Sequence, residues 1–299
     1  MKLKLGDAIK EARITKNLTQ SELAEGICTQ ATISNLEHNT SIPTVATLRS
    51  IAAKLMLNFN DLVAYYPAGS GSIDILMESK KFLRNRKYRE AKKILTDNID
   101  EKNLDVNEFK EYQYYLGICS LIGENDSKEA MYHFNLGMQE QSTLSSKLTE
   151  ALTINGIAVA YFNLKELEKA KVYFEKAIKL LEEVRSMDDP YLDLKECVKI
   201  YYNTAKYYSF VEEFSKAIEL CSIGISLQQQ EGDYTGLEVL YYEKGFNLAK
   251  INELEQAKKM YFVALGLSEI NSHEALIEQI LIDAEEYNLN PIEYKKKSD

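Results

Sequence analysis

Gln30 and Asn35 stand five residues apart in the stretch CTQATISNLEHN. A carboxamide carries a donor and an acceptor side by side. Each can therefore pair bidentately with the edge of an adenine in the major groove, a contact worth about 1–3 kcal/mol of discrimination. Between them, Ala31 and Thr32 offer methyls that can lie against a thymine methyl. A second set of carboxamides, Asn155 and Asn203, lies far downstream among tyrosines. An extended peptide exposes unpaired N–H and C=O groups, and amides spaced along it can clamp both without reading its side chains. Reaction chemistry has no comparable signal. The histidines, His38, His133 and His273, are far apart, and no P-loop, GxSxG or HExxH string occurs. The expectation is a non-enzymatic protein with no metal and no cofactor.

The elements that hold Gln30 and Asn35 follow from spacing. Apolar Leu5, Ala8, Ile9 and Ala12 predict a first helix over 5–16. Asn17 and Leu18 turn the chain. Thr19 is a helix cap and Glu22 its capping-box partner, so a second helix runs over 20–25. Gly26, Ile27 and Cys28 turn again, and a third helix starts near Thr29. Asn39 and Thr40 end it before Pro43. Helices over 44–55 and 58–64 complete a five-helix domain spanning 1–66, with Ala24, Ile33, Leu36, Leu48 and Ile51 in its core. Residues 67–72, PAGSGS, read as a linker.

The string LTQSELAEGICTQATISNLEHNTSIPTVATLRSIAAKL resembles the lambda-repressor or Cro-type helix-turn-helix across essentially the first 62 residues. Gln20, Ala24, Ile33, Leu36, Glu37, Pro43, Leu48 and Ala52 fall where that family places them. The resemblance implies that the start of the third helix enters the major groove. It makes Gln20 a phosphate contact, with Thr29, Ser34 and Thr40 as weaker backbone contacts. It also makes Arg13 and Glu37 a partly buried ion pair between the first and third helices. The family's usual glycine after Glu37 is missing. His38-Asn39 stands there instead, and asparagine tolerates left-handed backbone best after glycine.

Beyond the linker, over 73–299, the chain repeats itself. An alanine preceded by charged residues and followed by an amphipathic stretch occurs at Ala91, Ala130, Ala170, Ala217 and Ala257, with spacings of 39, 40, 47 and 40. The unit resembles the tetratricopeptide repeat, most clearly over 152–183 with Ala158, Tyr161, Ala170, Phe174 and Ala177. Further copies carry Ala205, Tyr208, Ala217 and Gly224, then Gly245, Ala257, Tyr261 and Ala264. Small residues let paired helices cross closely, and aromatics fill the spaces between them. Residues 273–288 read as a closing helix. With 4 prolines and 13 glycines, the fold class is all-α: the helix-turn-helix domain, then a right-handed tetratricopeptide-like solenoid.

Charge divides along the same line. Net charge is −10, but residues 1–65 hold seven Lys/Arg against six Asp/Glu, so the acid lies beyond the reading head. A near-neutral head binds phosphate modestly and relies on dimerisation. No 18-residue apolar run predicts a membrane span, the N-terminus lacks the apolar core of a signal peptide, and Cys28, Cys119, Cys197 and Cys221 are scattered. These features suit buried thiols in a cytoplasmic protein.

Both parts together resemble the PlcR branch of peptide-pheromone regulators, with Rgg-type proteins as more distant relatives. The strings GICTQATIS, EYQYYLG, TINGIAVAY, YYNTAKYY and LYYEKG carry the likeness. It implies a quorum-sensing transcriptional regulator whose repeats hold a short signalling peptide on their concave face. Asparagines on the first helices of successive repeats would bond its main chain, here Asn155 and Asn203. Tyr115, Tyr202, Tyr242 and Glu243 are the further candidates on the inner face. A homodimer reading a palindromic operator is expected. Two other readings remain open: a constitutive repressor whose repeats only dimerise or bind a protein, and a scaffold that sequesters a response regulator.

Overall fold

Four residues into the second helix of every repeat stands an alanine with no exposed surface: Ala91, Ala130, Ala170, Ala217 and Ala257. The computed structural model describes residues 4–40, 45–57, 62, 72–139, 146–187, 192–230 and 236–289. Among these every regular element is helical. All of the proposed linker 67–72 but its last residue, which begins a helix, lies outside them, as do Pro43 and nearly all of the fifth helix over 58–64.

The N-terminal helices are α1 (Leu5–Thr15), α2 (Gln20–Ala24), α3 (Gln30–Glu37) and α4 (Val45–Leu55). The repeat helices are α5 (Ser72–Arg84), α6 (Tyr88–Asn98), α7 (Val106–Ile118), α8 (Ser127–Gln139), α9 (Lys147–Asn163), α10 (Leu167–Arg185), α11 (Leu194–Phe210), α12 (Phe214–Gln230), α13 (Leu237–Lys250), α14 (Leu254–Ile270) and the closing α15 (Glu274–Glu286). Two compact units result. The first is 1–166 with 180–192, and the second is 167–179 with 193–299.

In the first unit, Leu5, Ile9, Leu23, Ala24, Ile33, Leu36, Leu48, Ile51, Ala52, Leu55 and Leu62 form the core of the N-terminal helices. The five core residues expected from sequence are all among them. Within the repeats, helices pair as α5 with α6 and α7 with α8 in the first unit, and α11 with α12 and α13 with α14 in the second. In one pair of each unit a glycine of the first helix faces a large residue of the second. A Cβ on Gly117 would lie 2.3 Å from Phe134, and one on Gly245 would lie 2.9 Å from Tyr261. Phe134 and Tyr261 each stand four residues after their repeat's alanine, so the same contact recurs in both units.

Every turn from first to second helix is also the same. Five residues before the B-helix alanine, Arg86, Asn125, Lys165, Glu212 and Asn252 have φ between 55° and 64°, and Ser272 repeats this before α15 with φ 54°. The next N–H reaches back to a helix carbonyl, as in Glu166 to Tyr161 (3.0 Å), Glu213 to Tyr208 (2.9 Å) and Glu253 to Leu248 (2.9 Å). This is the left-handed helix stop that glycine usually supplies. None of the six is glycine. A Cβ in this conformation costs about 1–2 kcal/mol, partly returned by the lower entropy of a non-glycine chain when unfolded. Lys165→Gly and Glu212→Gly should therefore each stabilise the protein by about 0.5–1 kcal/mol. A urea melt in which either variant is less stable than the parent would contradict this account of the turn.

One helix departs from the pattern. The end of α7 runs on as a π turn over Cys119–Gly123. There Asp126 N–H reaches Ser120 O (2.9 Å), one residue further back than in the other turns.

Candidate DNA-reading face and ligand-facing helices

Thr19 and Thr29 fix where the two helices of the reading motif begin. Thr19 Oγ1 accepts from Glu22 N–H (3.1 Å), and Thr19 N–H donates to Glu22 Oε2 (2.7 Å), the reciprocal box expected from sequence. The Thr19 N–H bond, and after it the bond that the Thr19 hydroxyl donates to Glu22 Oε2 (2.7 Å), hold the Glu22 carboxyl below its ordinary range. Thr29 caps α3 by accepting from Thr32 N–H (3.2 Å), and the two hydroxyls lie 2.9 Å apart. Two candidate contacts thus already serve the start of the reading helix.

From there a chain of side chains runs inward. Gln30 Nε2 donates to Gln20 Oε1 (2.7 Å), and Gln20 Nε2 donates to Glu37 Oε2 (2.9 Å). Arg13 grips the same carboxylate with Nε to Oε1 (2.5 Å) and Nη2 to Oε2 (3.0 Å). Its Nη1 donates to Leu18 O (2.6 Å), in the turn before α2. The Arg13 and Glu37 side chains are only 12% and 1% exposed. Gln20 therefore braces Gln30 against the core. Gln30, Ala31 and Asn35 are exposed on α3, Thr32 and Ser34 are half-buried, and the first turn of α3 carries no acid. Thr40 is exposed, and its hydroxyl donates to Asn35 O (2.9 Å).

Gly6 carries weight that the sequence did not announce, and Asn39 does more than the helix stop expected of it. A Cβ on Gly6 would sit 2.0 Å from Leu36 O, so α1 and α3 touch backbone to backbone. Asn39, at φ 55°, takes the left-handed position. Its Oδ1 also accepts from Gly6 N–H (2.9 Å), and its Nδ2 donates to Asp7 Oδ1 (3.3 Å). A glycine inside an amphipathic helix was the available signal.

The candidate ligand residues fall on the first helices of the repeats. Counted from the left-handed turn, Asn155 lies ten residues before Lys165, as Tyr202 does before Glu212 and Tyr242 before Asn252. Asn203 and Glu243 lie nine before. Tyr115 shares their position once the extra residue of the π turn is allowed for. Asn155 and Asn203 are thus in neighbouring positions rather than one matching position, and each repeat presents a pair: Tyr114–Tyr115, Asn155–Gly156, Tyr202–Asn203, Tyr242–Glu243. The 47-residue spacing between Ala170 and Ala217 hid this one-residue offset.

Their surroundings differ. Asn155 is 4% exposed on α9, a helix buried on nearly every side. Tyr115 is buried, and its hydroxyl donates to Glu111 Oε1. Asn203 and Tyr202 are half-buried, with the Lys206 ammonium 5.7 Å from the Tyr202 ring centroid. Tyr242 is half-buried and its hydroxyl donates to Asp283 Oδ2 (2.6 Å). Glu243 is buried, and burial raises its pKa against the opposing Ser209 and Asn247 hydrogen bonds and the Lys206 charge. Lys206, Asn247 and Asp283 were not singled out from sequence, and Tyr261 only as a packing residue of its repeat.

These geometries agree with known proteins. Residues 9–62 match the helix-turn-helix family model, and residues 153–180 match a tetratricopeptide repeat model. PlcR of Bacillus thuringiensis, solved in complex with the peptide PapR7 and DNA, is 22% identical with a TM-score of 0.61, over 93% of this chain and 99% of its own. ComR of S. thermophilus, solved with DNA and its signalling peptide ComS, is 16% identical with a TM-score of 0.54, over 96% and 100%. The fold is the one these regulators share. No curated protein matches the sequence. No helix among the described residues is long and apolar enough to cross a membrane.

Proposed function

We propose that the protein is a DNA-binding transcriptional regulator whose repeats bind a short signalling peptide and so control the reading heads. The observation that carries the DNA half is the exposed start of α3, where Gln30 is held by Gln20 against the Arg13–Glu37 pair. A rigid amide is what bidentate reading of adenine requires. The peptide half is supported by the fold shared with PlcR and ComR, both solved with DNA and peptide, and by Tyr, Asn or Glu at one or both of the same two positions in four successive repeats. Residues 1–66 would be the reading domain and 73–299 the ligand-binding and dimerising one.

A homodimer would place two heads on a palindrome, with half-sites about one helical turn or a multiple apart. Peptide and DNA then share one coupling free energy, so each changes the other's affinity by the same factor. Selection of duplexes from a randomised pool by the full chain tests the reading. An inverted repeat should emerge, and Gln30→Ala should lose about 1–3 kcal/mol of preference at one base pair per half-site. A pool that shows no sequence enrichment would remove the proposal.

A further inference from the structure

The first helices of the second unit's repeats, α11 and α13, sort their charges by sign. Their three carboxylates, Glu196, Glu238 and Glu243, are all buried, at 4%, 6% and 5% exposed, while all five of their lysines reach solvent. The whole chain carries −10, so this surface runs against its surroundings. On α11 the lysines also share one side. Lys199, Asn203 and Lys206 stand at i, i+4 and i+7, which a helix places on one face, and all three are exposed or half-buried. Lys195 lies on the same line one turn earlier. Asn203 thus has a lysine one turn before it and another one turn after, rooted about 6 Å and about 4.5 Å away along the helix axis.

Nothing in the repeat requires lysine at these places. Counted from the left-handed turn, the matching residues are Leu152 and Val159 on α9, and Val239 and Phe246 on α13. The arrangement also has a cost. Lys195 stands in the first turn of α11, where the helix dipole disfavours a cation, and it repels Lys199 four residues on. Asp193 at the cap and Glu196 offset part of this. Breaks of local rules that the fold does not need are expected at functional sites. The ammoniums are held ready for an outside acceptor. Lys199 Nζ donates to Glu196 Oε2 (2.7 Å), which takes one of its three donors, and its side chain remains 50% exposed. Lys206 Nζ lies 5.7 Å from the centroid of the Tyr202 ring, and no ion pair among the described residues involves it. The carboxylate that feels its charge, Glu243, is buried and already bonded to Asn247 Nδ2 (3.2 Å) and to Ser209. A carboxylate from outside only accepts, and so completes these donors with charge-assisted bonds.

We propose that Lys199 and Lys206, on either side of Asn203, form the subsite for a carboxylate of the peptide ligand, from an acidic side chain or the free C-terminus. This inference rests on the peptide-binding reading and specifies its chemistry. The test exposes the full chain to two pools of random short synthetic peptides, one with free C-termini and one amidated, and identifies the retained peptides by mass spectrometry. Lys199→Gln and Lys206→Gln are run in parallel. Lys259→Gln, at an exposed position of α14, makes the same change of charge away from α11. Circular dichroism melts check folding. A side-chain source should enrich Asp or Glu severalfold at one position in both pools. A C-terminal source should instead favour the free-acid pool severalfold over the amidated one. Retention of the preferred peptides should fall severalfold in Lys199→Gln and Lys206→Gln and persist in Lys259→Gln. Peptides retained without either preference would overturn the subsite and leave the peptide reading standing. Undiminished retention in either folded α11 variant, or an equal fall in Lys259→Gln, would do the same. Should Lys199→Gln not fold, Lys206→Gln decides alone. A parent chain that retains no peptide above a blank support removes both.

Discussion

Replacing Glu37 with alanine is expected to cost about 3–5 kcal/mol of stability in the N-terminal helices and to weaken DNA binding with it. The carboxylate is nearly inaccessible and serves three side-chain donors, two from Arg13 and one from Gln20. Its removal leaves a guanidinium edge and an amide buried without an acceptor, which is costlier than losing the pair outright. Gln20 then no longer holds Gln30, so the reading helix loses order at the residue that meets the base. Glu37→Gln keeps the shape and removes the charge, and it should fall between the two. The same carboxyl predicts a pH response. Burial alone would raise its pKa, but the Arg13 and Gln20 hydrogen bonds and the charges of Arg13 and Lys10 outweigh that and lower it. A lowered native value means stability that is fully present above the unfolded value, about 4.3, and lost as pH falls through the native one. Acid should therefore narrow the gap between the parent and Glu37→Gln. Equal melting temperatures and equal operator affinities across the three proteins would remove this account.

Phe134→Ala should destabilise the first unit by about 3–5 kcal/mol, and alanine at either Gly117 or Gly156 by about 1–3 kcal/mol. The ring has no exposed surface and is enclosed from two sides. A Cβ on Gly117 would stand 2.3 Å from its Cε1, and one on Gly156 2.5 Å from its Cζ. Ring and glycines are thus one packing decision shared by α7, α8 and α9. Their effects cannot add, because a smaller side chain at 134 makes room for the methyl. Gly156→Ala should cost less in a Phe134→Leu background than alone. Urea denaturation of the four proteins measures the coupling. Strict additivity would show that the close approach is relieved by other movements.

The reading head was legible almost residue by residue, since its signals are local: a capping box, apolar spacing and a left-handed stop. The five alanines were legible for the same reason, as one steric need recurs with each helix pair. The offset between Asn155 and Asn203 was not, because a gap between repeats carries no record of helix rotation. Nor was the hydrogen bond that joins α13 to α15. Tyr242 and Asp283 meet across 41 residues of chain, and nothing near either residue shows that the other will arrive. Gly6 and the bond that Asn39 makes to it stayed hidden in the same way, decisive only in contact.

The π turn at Cys119–Gly123 lies between two anchors that cannot slide: Gly117 against Phe134, and the left-handed stop at Asn125. The other first helices cross the same interval with one residue fewer. A helix held at both ends can neither rotate nor lengthen, so it expels a surplus residue sideways as a wider loop of backbone. The π turn of α7 thus shows where this architecture takes up one residue more than its other first helices carry. Residues of α7 upstream of the π turn keep the phase that Gly117 sets against Phe134, so a repeat can hold an extra residue without rotating its first helix against its second.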